Sequence, residues 1–178
     1  MTNFYKNKQQ IINWLEKHEV KNYILVPDEK YGFVVDVNGN VNLFGKYLIN
    51  IPIKFNNVSI SFNCGYNQLT SLEFSPQKVG GSFICQSNQL DSLEFCPQAI
   101  SGVFSCSYNK LTSLEFCPET IGGKFYCNDN QLLKEIQQIN DFNLILLEHK
   151  KILITKLSDK LENDLSNDNS KKTAKIKI

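Results

Sequence analysis

The residues best suited to chemistry in this chain are its six cysteines. Cys64, Cys85, Cys106 and Cys127 stand 21 residues apart, and Cys96 and Cys117 keep the same interval. A regular row of thiols could bind a metal, form disulfides, relay electrons or pack as small hydrophobes. Zinc needs four ligands converging on one point, whereas a fixed interval in a repeating chain sets thiols along a line. Serine (Ser75) occupies the third place of the Cys96 and Cys117 row, so the unit does not require a thiol there. Packing is the favoured reading, and a Cys96–Cys117 disulfide stays open. There is no Cys-x-x-Cys pair, phosphate-binding loop or dinucleotide fingerprint. His18 and His149 have no repeat-positioned Cys, Asp or Glu partner. Asp-Val-Asn-Gly-Asn at 36–40 lacks the closing glutamate of a calcium loop and reads as a turn. No metal or other cofactor and no catalytic group is expected, so the chain reads as non-enzymatic.

The thiols belong to a longer unit. Phe62, Phe83, Phe104 and Phe125 repeat at the same interval, as do Asn67, Asn88, Asn109 and Asn130. So do Leu69, Leu90, Leu111 and Leu132, then Leu72, Leu93 and Leu114, and Val79, Ile100 and Ile121. The unit is F-x-C-x-x-N-x-L-x-S-L-E-F-[SC]-P-x-x-[VI]. A degenerate earlier copy carries Val41, Leu43, Leu48, Ile51 and Val58, with Lys46 in place of the asparagine. Such a period predicts stacked coils, each with one short parallel strand and a return segment, that bury a core only together. The asparagine is expected to turn inward and bond backbone groups of neighbouring coils.

F-x-C-x-x-N-x-L resembles the second half of the leucine-rich repeat consensus L-x-x-L-x-L-x-x-N-x-L. The S-L-E-F-x-P segment is similar to the proline-containing return of phage and bacterial leucine-rich repeat proteins. The likeness covers roughly 58–132 and departs at Phe74, Phe95 and Phe116, where a small residue is more usual. It implies an α/β solenoid, a leucine-rich repeat with short parallel strands, whose concave face binds another protein. The outward positions of that face are Asn42, Phe44, Asn63, Tyr66, Ile84, Gln86, Ser105, Ser107, Tyr108, Tyr126 and Asn128. Tyrosines among small polar residues suit protein recognition. Given the phage and bacterial likeness, the partner would be a bacterial protein such as a defence nuclease or effector complex, inhibited in the manner of an anti-CRISPR. Related effectors carry a ubiquitin-ligase domain, but no segment here is long enough for one.

Around the solenoid (39–140), residues 1–38 read as an N-terminal cap. Phe4, Ile11, Ile12 and Leu15 form a helical stripe, followed by strands at 23–26 and 33–37. Asp141 could start a capping helix over 141–161, apolar more than halfway round, with Phe142, Leu146, Leu153 and Leu157 on one face. That leaves a monomer or a weak dimer through the helix as the expected states. Residues 162–178 read as a disordered polar tail. Its lysines 171, 172, 175 and 177 carry the second reading, nucleic-acid binding with stacking on exposed tyrosines. The net charge of +1 and the absence of arginine weigh against that reading. Glu73, Glu94 and Glu115 form a charged row that could attract a basic partner or simply copy an ancestral unit. No leader sequence or apolar span is read, so a cytoplasmic location in a bacterial cell, phage-encoded, is expected.

Overall fold

The repeat interval is also the register of the backbone. In the computed structural model, Val41 pairs with Phe62, Phe62 with Phe83, Phe83 with Phe104 and Phe104 with Phe125, all in parallel. The structure describes residue 5, residues 7–132 and residues 142–175, with the side chains of 142, 143, 146, 149 and 163–175 left undescribed. Phe4, Asp141 and Lys177, and the side chains of Phe142, Leu146, His149, Lys171, Lys172 and Lys175, therefore lie outside the described residues. The chain divides into two units, 1–137 and 138–178.

The first unit is a β-solenoid. It opens with α1 (Lys8–Lys17), then β1 (Tyr23–Asp28), β2 (Gly32–Val37), β3 (Val41–Asn42), β4 (Phe55–Val58) and β5 (Phe62–Asn63). It continues with β6 (Lys78–Val79), β7 (Phe83–Ile84), β8 (Ala99–Ile100), β9 (Phe104–Ser105), β10 (Thr120–Ile121) and β11 (Phe125–Tyr126). One sheet runs β1-β2-β4-β6-β8-β10 and the other β11-β9-β7-β5-β3. Each coil thus holds two short strands, one per sheet, and no helix interrupts residues 41–132. The α/β character and single strand per coil expected from the repeat are replaced here by a second parallel ladder. Its strands form at the last apolar place of the unit, where Val58, Val79, Ile100 and Ile121 stack.

The core follows from the columns. Phe62, Phe83 and Phe104 are fully buried, and successive ring centroids lie 5.7, 6.2 and 5.4 Å apart through to Phe125. Burying each such ring contributes about 1.5–3 kcal/mol. Cys64, Cys85 and Cys106 and the columns of Leu69 and Leu72 close the interior. At the corner between β4 and β5 and its later copies, coils approach backbone to backbone. A Cβ on Gly80 would run into the Ser59 carbonyl oxygen, so only glycine fits there.

The N-terminal end is shaped by different chemistry. Asn7 caps α1 by accepting from the Gln9 N–H at 2.9 Å. Ile11, Trp14 and Leu15 face inward at helical spacing, and Trp14 meets the Phe55 ring edge-on at 6.4 Å. The hairpin β1–β2 is tied by Asp28, whose Oδ1 accepts from the N–H groups of Lys30 and Tyr31. Strand β2 then pairs in parallel with β4, so the hairpin continues the first sheet beyond the coils.

The second unit contains α2 (Phe142–Lys175), which continues past the 161 boundary and through most of the segment read as a tail. Lys151 and Glu148 pair at 3.0 Å on its surface. Leu144, Leu147, Ile154, Leu157 and Leu161 are exposed along it.

Candidate functional site

The asparagine column is what holds the outward face of the second sheet in place. Asn88 Nδ2 donates to the carbonyls of Cys64 at 3.0 Å, Cys85 at 3.1 Å and Gln86 at 3.3 Å, and its Oδ1 accepts from the Leu69 N–H at 3.0 Å. Asn67, Asn109 and Asn130 repeat this pattern. Each links its own coil to the one before. The first coil has no coil before it, which accounts for Lys46 being tolerated in the column.

With the backbone fixed in this way, alternation sends every second residue of β3, β5, β7, β9 and β11 outward. Asn42, Asn63, Ile84, Ser105 and Tyr126 form one row, in register from coil to coil. Phe44, Gly65, Gln86, Ser107 and Asn128 form the next row. Gly45, Tyr66, Ser87, Tyr108 and Asp129 then turn the corner in left-handed backbone, φ 55–62°. Phe44, Tyr66, Tyr108 and Tyr126 are 42–55% exposed, and the rings of Phe44 and Tyr66 touch at 4.8 Å. Asn42 and Asn128 are exposed; Asn63, Ile84 and Gln86 are half-buried.

Two residues of the expected set do not face solvent. Ser105 and Ser107 are buried, at 3% and 4% exposure. Ser105 Oγ donates to Gln86 Oε1 at 2.9 Å and Ser107 Oγ to Asn128 Oδ1 at 2.8 Å. Larger neighbours in the same rows cover them, so these serines orient Gln86 and Asn128 rather than offering contact themselves. Asn128 Nδ2 also donates to Asp129. Asp129 holds the Tyr108 phenol protonated, first through its charge and then through a hydrogen bond. A serine–asparagine–aspartate–tyrosine chain therefore fixes that end of the face.

No family model, curated protein or solved structure matches this chain.

The thiols line the interior. All six are free and buried. Burial pushes Cys64 and Cys117 up to about 12 and Cys127 to about 11, and also raises Cys85, Cys96 and Cys106 well above the usual thiol value. Cys85 donates its S–H to the Ser105 carbonyl at 3.4 Å. Protonated, enclosed thiols are poor nucleophiles and poor ligands. Among the described residues no group of three or more His, Cys, Asp or Glu side chains is arranged to hold a metal ion. Among those residues, too, no helix is long and apolar enough to cross a membrane.

One buried charge had no signal in the repeat. Lys54 occupies the column of Ser75, Cys96 and Cys117, and its ammonium donates to the Ser75 carbonyl at 2.7 Å. Desolvation lowers its pKa to about 8, against the opposing charge of Glu73. His18 ends α1, its Nδ1–H donating to the Trp14 carbonyl at 2.8 Å and its ring stacked on Trp14. A cleft of about 390 Å³ opens on the outer side of the first sheet beside Ile24, Asp36, Asn57 and Lys78. Its carboxylate, Asp36, already accepts three hydrogen bonds from Asn56 and Asn57.

Proposed function

We propose that this chain is a non-enzymatic protein-binding module that uses the outward face of its second sheet. The observation that carries the reading is the group of four half-exposed aromatic rings, Phe44, Tyr66, Tyr108 and Tyr126, set among small polar side chains with the Asp129 carboxylate beside Tyr108. Aromatic side chains give large contact area at low entropic cost, and their polar tips serve the rim of an interface. Tyr66 and Tyr108 sit where the backbone favours glycine or asparagine, so the fold does not ask for tyrosine there. The resemblance to leucine-rich repeat proteins supports the same role, with an inhibitor of a bacterial defence protein as the form it suggests. Nucleic-acid binding ranks below it, because neither outward strand row of the face carries a lysine.

The test is affinity capture from bacterial lysate with the full chain and with Tyr66→Gly/Tyr108→Gly/Tyr126→Ala. Glycine keeps the left-handed corner, so the variant should fold. The expected result is a protein recovered by the wild type and lost by the variant, in nuclease-treated lysate. Equal recovery by both would remove the face from the reading, and recovery abolished by nuclease would favour nucleic acid.

A further inference from the structure

The S-L-E-F turn occurs three times, and among the described residues only its first copy is covered. In that copy Leu72 accepts from the Ser75 N–H at 2.8 Å, and Phe74 is buried with ordinary negative φ. Tyr31, from the hairpin loop, meets the Phe74 ring edge-on at 5.9 Å. Lys30, beside it, feels the charges of Glu73 and Asp28 in addition to its contact with Tyr31. An aromatic residue thus meets the Phe74 ring, with the ammonium of the preceding lysine lying over that aromatic ring and Glu73 among the charges acting on it.

The next two copies keep the turn, with Leu93 accepting from Cys96 and Leu114 from Cys117. Their phenylalanines do something different. Phe95 and Phe116 take φ of 68° and 62° and are 48% and 49% exposed. Glycine is the residue this turn position favours. A large apolar ring held there, half in water, serves neither the backbone nor the core. Glu94 and Glu115 are exposed beside them and have no ion-pair partner among the described residues.

We propose that Phe95 and Phe116, with Glu94 and Glu115, form a docking edge for a loop of a partner protein that presents a basic residue next to an aromatic one. The Lys30–Tyr31 loop on Glu73 and Phe74 is the internal pattern for that contact, and the acidic pair selects the basic residue by charge. This edge is separate from the outward face of the second sheet and stands whether or not that face binds.

The probe is a cyclised peptide of residues 27–32, Pro-Asp-Glu-Lys-Tyr-Gly, titrated into the isotope-labelled full chain. Backbone amide shifts at 94–96 and 115–117 are expected. They should weaken by about tenfold in affinity when the peptide carries Lys30→Ala and Tyr31→Ala, or when the protein carries F95G and F116G. The same F95G/F116G protein should melt at or above the wild-type temperature, because glycine relieves both turns. Absent shifts, equal shifts with the alanine peptide, or a lower melting temperature for F95G/F116G would each overturn the proposal. The last result would assign the rings to the fold.

Discussion

Asn88 and Cys64, 24 positions apart, are joined by a 3.0 Å hydrogen bond from the asparagine amide to the cysteine carbonyl of the preceding coil. The same side chain bonds three further backbone groups, so it closes a gap that neither coil can close alone.

Replacing Asn88 with alanine therefore strands several buried backbone groups at once. Each costs about 1–3 kcal/mol when left unpaired, so Asn88→Ala should lower stability by roughly 3–5 kcal/mol. Asn130→Ala should cost less, because Asn130 is only half-buried and water can substitute. Urea unfolding of the two variants checks the order; equal and small losses would show that the column is not a stabilising ladder.

Ser75 points the other way. Its Oγ is buried with no hydrogen-bond partner, in a column where the next two coils carry cysteine. Ser75→Ala removes a desolvated hydroxyl and leaves the carbonyl that Lys54 uses, so it should stabilise by about 1 kcal/mol. A rise in the urea midpoint at constant slope is the expected reading.

Alkaline pH should weaken the fold through the thiols. Below about pH 8 they are protonated both folded and unfolded. Above it the unfolded chain releases protons while the native thiols, Cys127 at about 11 and Cys64 and Cys117 at about 12, retain theirs, so their contribution is lost as pH rises. Lys54 has the opposite sign: with a native pKa of about 8 against 10.5, its contribution grows with pH between those values. Denaturation from pH 7 to 10.5 should show a net fall, steeper in Lys54→Met. Native thiol labelling should be slow, with Cys127, at 8% exposure and pushed up only to about 11, among the first to react.

The repeat made much of this architecture readable. An interval kept by phenylalanine, asparagine and leucine columns defines both stacking and register, and the inward asparagine follows from the need to pair buried backbone groups. The second ladder was hidden because two-residue strands such as Lys78–Val79 are too short for alternation to show. Ser105 and Ser107 were misplaced because strand parity gives direction but not cover, which comes from neighbouring coils. The divergent fates of Phe74 and Phe95 could not be seen in a repeat where both have the same letter; Tyr31, far away in sequence, separates them. Helix α2 outlasts its apolar pattern because nothing in 162–175 is glycine or proline.

Because the coils stack at a strict 21-residue offset, one unit can be added or removed without changing any partner's chemistry. Length in this molecule is therefore quantised, in steps of about 4.8 Å set by the spacing of neighbouring strands. Duplication of a single coil would move Tyr66 and Tyr126 apart by one such step, making the spacing of recognition groups a heritable ruler that mutation can lengthen in whole divisions.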